Sequence, residues 1–128
     1  MKQLDIKPTD TTPSVEFDLE SSTLTIAGES FPENVTTFYD PILKWIKEYF
    51  TDGGNNRKLV LNLNLKYFNT STSKYLFDIM SELEETHKDR HADIRVVWCY
   101  KKGVEIMYEN GEEFAEDFEL PFEFVAYE

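Results

Sequence analysis

The chain has 128 residues, 41% of them hydrophobic and 15% aromatic, and its 25 Asp and Glu against 13 Lys and Arg give a net charge of −12. A chain of this length buries roughly two thirds of its surface around one core, so a single domain is expected. The charge excludes nucleic acid and anionic membranes as natural partners, because their phosphates demand Lys and Arg. No run approaches the roughly 18 apolar residues of a membrane span, and no signal-peptide core follows Met1.

The first dozen residues, MKQLDIKPTDTT, are polar and are read as a flexible segment, with the domain over 13–128. In VEFDLESSTLTIAGES, Val15, Phe17 and Leu19 alternate with Glu16, Asp18 and Glu20. Leu24 and Ile26 alternate in the same way after a Ser-Ser turn, which predicts a hairpin. The spacing then becomes helical. Val35, Phe38, Ile42, Ile46 and Tyr49 share a face with Trp45 and Phe50 beside them, and Asn34 is placed to cap the helix. Pro41 predicts either a kink or a regular helix beginning at Asp40.

Asp52 to Asn56, DGGNN, reads as a turn. In the next strand Leu59, Leu61, Leu63 and Leu65 take one face and Val60, Asn62 and Asn64 the other. A run of hydroxyls follows, and then a helix with Leu76, Ile79, Met80 and Leu83 at core spacing, ended by HKDRHAD. IRVVWCY reads as a buried strand, residues 103–118 as one or two short helices around Gly111, and PFEFVAY as an edge strand. The order β-β-α-β-α-β-(α)-β predicts an α/β fold, a mixed sheet with helices mainly on one face.

Catalytic and metal signatures are weak. The only histidines, His87 and His91, stand four apart at a helix end without an HExxH pattern, and Cys99 is the only thiol. A lone cysteine forms no intramolecular disulfide, so a reducing cytoplasm is the expected location. Gly53-Gly54 lacks the lysine of a phosphate-binding loop, and no G-x-S-x-G elbow surrounds the hydroxyls. No metal, cofactor or catalytic residue is expected. After Lys102 the chain has no basic residue and many carboxylates. That pattern is either a solvated face or a surface that meets a basic partner.

The sharpest feature is YFNTSTSK, Tyr67 to Lys74, with Thr70, Ser71, Thr72 and Ser73 in a row at a strand-to-helix junction. Asn69, Thr70 or Ser71 would cap the helix, which accounts for one polar residue. The others are either ordinary first-turn residues or a phosphoacceptor, since the open N–H groups and positive end of a helix tolerate a phosphate.

Five segments in order, TPSVEFD (Thr12 to Asp18), Gly28 to Val35 (GESFPENV), FYDPILKWI (Phe38 to Ile46), YFNTSTSK and GEEFAE (Gly111 to Glu116), together resemble the SiaC family of bacterial regulatory phosphoproteins. The resemblance implies a STAS-like fold and a partner-switching protein without catalysis of its own. It implies a kinase that phosphorylates Thr70, a PP2C-type phosphatase that reverses this, and a diguanylate cyclase that the unmodified form activates, raising cyclic di-GMP. Tyr67, Phe68, Asn69, Ser71, Ser73 and Lys74 would surround the switch, with Glu33 and Asn34 on the same face. The free protein is expected to be a monomer. Lys101-Lys102-Gly103 departs from the acidic run that family members carry after the corresponding strand. Three alternatives stand beside this reading: an anti-sigma-antagonist type of switch with another target, an unmodified scaffold module, and a small enzyme using Thr70 or Ser71 as nucleophile.

Overall fold

The computed structural model describes residues 3–52 and 57–128. Six strands form one sheet in the order in which they occur in the chain: β1 (Asp5–Ile6), β2 (Ser14–Asp18), β3 (Thr23–Ser30), β4 (Lys58–Phe68), β5 (Asp93–Lys101) and β6 (Phe122–Tyr127). The pairs β1–β2 and β2–β3 are antiparallel, whereas β3 to β6 are parallel. Each parallel step carries one helix: α1 (Val35–Asp52), α2 (Thr70–Arg90) and α3 (Glu105–Asp117). Crossovers between parallel strands are right-handed, so three successive crossovers moving one way across the sheet stack all three helices on one face. The expected mixed sheet with one helix layer is the observed fold.

Burial follows this layering. Leu59, Leu61, Leu63 and Leu65 are buried under the helices, whereas Val60, Asn62 and Asn64 on the reverse face are half-buried. β5 alternates as well. Ile94, Val96 and Trp98 are buried, but Arg95 is exposed and Val97 half-exposed, so this strand has only one buried face. An open reverse face requires alternation, which a strand covered on both sides lacks.

Several local expectations change. Residues 3–12, read as flexible, carry β1 and the buried Leu4, and Phe17 N donates to the Leu4 carbonyl. A two-residue strand is too short to show periodicity. Leu19, counted with β2, is 72% exposed in the hairpin turn, where Ser22 takes φ 52°. α1 passes through Pro41, whose missing N–H belongs to the exposed side of the helix near Thr37. Asn34 caps it, accepting from Thr37 N at 3.1 Å. The predicted DGGNN turn lies outside the described residues except for Asp52, the last residue of α1.

Residues 105–117 form one helix that runs through Gly111. A Cβ there would stand 2.6 Å from Trp98 Cδ1 and 2.8 Å from Phe124 Cε2. Gly111 therefore lets α3 lie directly on the sheet, and Trp98 Nε1 donates to the Met107 carbonyl at 2.9 Å. Gly28 takes φ 115°, a conformation that favours glycine. The β3–β4 register steps from Gly28↔Leu65 to Glu29↔Tyr67, which leaves Lys66 as the extra residue of a bulge.

Candidate functional site

The parallel strands end together, so the segments leading into α1 and α2 lie side by side at their carboxyl edge, the usual place for a site in such sheets. β4 ends at Phe68, Asn69 takes an extended conformation, and α2 begins at Thr70. The cap is Asn69. Its side-chain oxygen accepts from Thr72 N at 3.0 Å, and its backbone N–H donates to the Ser30 carbonyl at 3.0 Å. None of the hydroxyls serves as the cap.

The four hydroxyls have different surroundings. Thr72 is fully buried. Its Oγ1 lies 2.9 Å from Ser30 Oγ and donates to the Ser30 carbonyl at 3.1 Å, and Ser30 Oγ lies 2.7 Å from the Tyr39 hydroxyl. One proton per hydroxyl gives a single consistent direction: Tyr39 to Ser30 Oγ, Ser30 Oγ to Thr72 Oγ1, Thr72 Oγ1 to the Ser30 carbonyl. Burial pushes the Tyr39 phenol up to about 12 against the opposing hydrogen bonds with Ser30 and Thr72, so the phenol keeps its proton and donates. Thr70 and Ser71 point outward at the first two helical positions and are exposed. Ser73 is half-buried in a cleft of ≈ 170 Å³ between α2 and α3, beside Phe68, Phe77 and Phe114. Lys74 is exposed one turn beyond Thr70.

Around the junction, Tyr67 is 49% exposed and meets the ring of Phe31 edge-on at 5.9 Å. Phe68 turns the other way, against buried Trp98. Glu33 and Asn34 are exposed in the segment leading into α1, where Asn34 caps. The contact between that segment and the hydroxyl run is made by Ser30 and Phe31, together with Tyr75, whose hydroxyl donates to Asp40 at 2.8 Å. Sequence reading missed Ser30, Phe31 and Tyr39. The signal for Tyr39 was available, since it lies three residues before Ile42 on the same helix face.

The remaining candidates have structural roles. His87 Nδ1 lies 2.8 Å from the Ala92 carbonyl, and His91 takes the left-handed position that ends α2. The Cys99 thiol donates to Asn62 Oδ1 at 3.3 Å, and burial, with Glu123 nearby, raises its pKa. Among the described residues, no group of three or more His, Cys, Asp or Glu is arranged to hold a metal ion, and no helix is long and apolar enough to cross a membrane. Neither the Thr70 nor the Ser71 hydroxyl is hydrogen-bonded to a base among the described residues.

Fold and junction together define a class: a small α/β domain with one helix layer, presenting an exposed threonine at a helix start on the carboxyl edge of its parallel strands. Residues 6–127 match the sequence profile of the SiaC family regulatory phosphoproteins, and the chain belongs to that family. An uncharacterized protein of Pseudomonas aeruginosa strain UCBPP-PA14 is 36% identical, covering 100% of this chain and 99% of its own length. The solved structure of SiaC of Pseudomonas aeruginosa is 35% identical, with a TM-score of 0.88 over 99% of this chain and 100% of that one. A chain in the crystal structure of diguanylate cyclase SiaD in complex with its activator SiaC, from the same organism, is 34% identical, with a TM-score of 0.88 over 97% of this chain and 99% of that one.

Proposed function

We propose that this protein is a non-catalytic cytoplasmic activator that binds a diguanylate cyclase in its unmodified form and is switched by phosphorylation of Thr70. The observation that carries the proposal is the division of labour within the hydroxyl run. Asn69 supplies the cap and Thr72 is locked in the core, which leaves Thr70 exposed with no structural duty. The likeness to SiaC, crystallised as the activator of a diguanylate cyclase, supports the effector class. The family description as regulatory phosphoproteins supports the modification.

In this reading a kinase phosphorylates Thr70, a PP2C-type phosphatase restores it, and the free protein is a monomer. Partner and kinase read Tyr67, Phe68, Asn69, Ser71, Ser73 and Lys74, with Glu33 and Asn34 at the margin. A phosphoryl group adds roughly −1.5 to −2 charges. At the helix start that charge is tolerated within the fold, because the dipole and open N–H groups favour it. Against a docked partner it is a desolvation and repulsion penalty, so modification releases the complex while the domain stays folded.

The test combines two measurements. Incubation with ATP and a lysate of the native host should add one phosphoryl group, located at Thr70 by mass spectrometry. Thr70→Asp should weaken cyclase binding and activation while shifting the melting temperature by no more than about 2 °C, as for surface changes generally. A large loss of fold stability in Thr70→Asp would make Thr70 a structural residue and overturn the switch.

A further inference from the structure

The sheet comes apart at one corner. β4 and β5 pair in register from Lys58↔Asp93 to Leu63↔Trp98. Beyond that point β4 continues to Phe68 against β3, and β5 continues to Lys101 against β6. Residues 64–68 of β4 therefore keep a strand partner on the β3 side alone. The gap is a crevice of ≈ 310 Å³, with Leu65 and Lys66 on one wall, Lys101 and Tyr127 on the other, and Val104 and Met107 at its base. Asn64, the first β4 residue past the last β4–β5 pair, has a buried side-chain oxygen with no hydrogen-bond partner among the described residues.

The charge of the crevice is opposite to that of the protein. Lys66 and Lys101 are exposed, and neither has a carboxylate partner among the described residues. Lys102, beside them, is paired at 3.7 Å with Glu128, the one carboxylate lining the crevice. Lys66 stands there because of the bulge opposite Gly28, which makes it the extra residue of β4.

We propose that this crevice docks an extended acidic segment of a partner protein. The segment adds to the free edge of β4 as a short strand, sets alternate apolar side chains on the base, and pairs its carboxylates with Lys66 and Lys101. The open feature is a strand edge, whose N–H and C=O groups are satisfied by another main chain. Charge complementarity selects an acidic chain, because two unpaired lysines face the crevice on a protein of net charge −12. This rests on the reading above for the partner's identity. Lys66 lies four residues before Thr70 in the chain, at the end of the same strand that leads into α2.

The experiment is amide NMR of the full chain titrated with an acetylated hexapeptide of alternating Glu and Val. Expected are shifts confined to residues 64–68 and 99–104, an affinity about tenfold lower in the Lys66→Glu/Lys101→Glu variant, and no binding by the peptide N-methylated at alternate nitrogens. Shifts elsewhere or absent, unchanged affinity in the charge-reversed variant, or equal binding by the N-methylated peptide would each overturn the proposal. The same crevice shifts with inorganic phosphate alone would overturn it too, in favour of a plain anion site. Both lysines are exposed, so the variant is expected to fold, and circular dichroism checks this. If the peptide fails while Thr70→Asp still releases the cyclase, the docking site falls and the switch stands; the reverse pattern separates them the other way.

Discussion

Replacing Thr72 by valine removes one oxygen from the core and leaves the side-chain volume and helix propensity almost unchanged. Two interactions disappear. The Ser30 hydroxyl, which donates to Thr72 Oγ1, loses its acceptor, and the Ser30 carbonyl loses the Thr72 donor while keeping the Asn69 N–H. A net hydrogen bond contributes about 1 kcal/mol, and a stranded buried donor costs about 1–3 kcal/mol. The expected loss is therefore about 2–3 kcal/mol. At about 4 °C for each kcal/mol in a domain of this size, the melting temperature should fall by roughly 8–12 °C. Thr70→Val, two residues away but exposed, should stay within about 0.5 kcal/mol. Urea unfolding gives both values, provided that the midpoint moves and the slope does not. A Thr72→Val loss below about 0.5 kcal/mol, or equal losses at the two positions, would refute the assignment of structural and available hydroxyls on which the phosphosite argument depends.

Other outcomes follow from the same geometry. Gly111→Ala should destabilise by about 1–2 kcal/mol, because the clash with Trp98 and Phe124 outweighs the roughly 1 kcal/mol gained in helix propensity; thermal melting decides, and a stabilised variant would mean that α3 can lift off the sheet. Tyr39 titrates near 10.0 when unfolded and at about 12 in the folded protein, so the folded state holds the proton more tightly. Its contribution is complete below pH 10 and is lost as pH rises through about 12; the alkaline fall in melting temperature should flatten in Tyr39→Phe. Cys99, with its pKa raised by burial and its thiol bonded to Asn62, should react with iodoacetamide at pH 8 more slowly than free cysteine does, and Asn62→Ala should speed it.

The elements with strong periodicity were legible at once. β4 places four leucines on one face, α2 repeats Leu76, Ile79, Met80 and Leu83, and both appear where the spacing put them, because burial on one side imposes a period that survives in any sequence folding this way. The same logic fails where an element is too short or its environment is set from afar. β1 has two residues, Leu19 continues a strand alternation into a turn, and whether 103–118 holds one helix or two stayed open at Gly111 because nothing local reveals the indole packed against it. The cap at Asn34 was readable, since capping is a local hydrogen bond.

The hydroxyl run marks the boundary between the two kinds of information. Four neighbouring Ser and Thr residues announce a polar junction at a helix start, and composition limits what meets it by excluding a basic, phosphate-seeking surface. Which hydroxyl is buried depends on Ser30 and Tyr39, remote in sequence and brought beneath α2 by the right-handed crossover of α1. The crevice at Lys66 likewise depends on where β4 and β5 part, a property of pairing register that neither strand carries alone. Periodicity and capping are written within one turn or one strand, so the chain by itself determined its layers and the cap of α1. Exposure at Thr70, burial at Thr72 and the open edge of β4 are relations between segments, and only packing in three dimensions decided them.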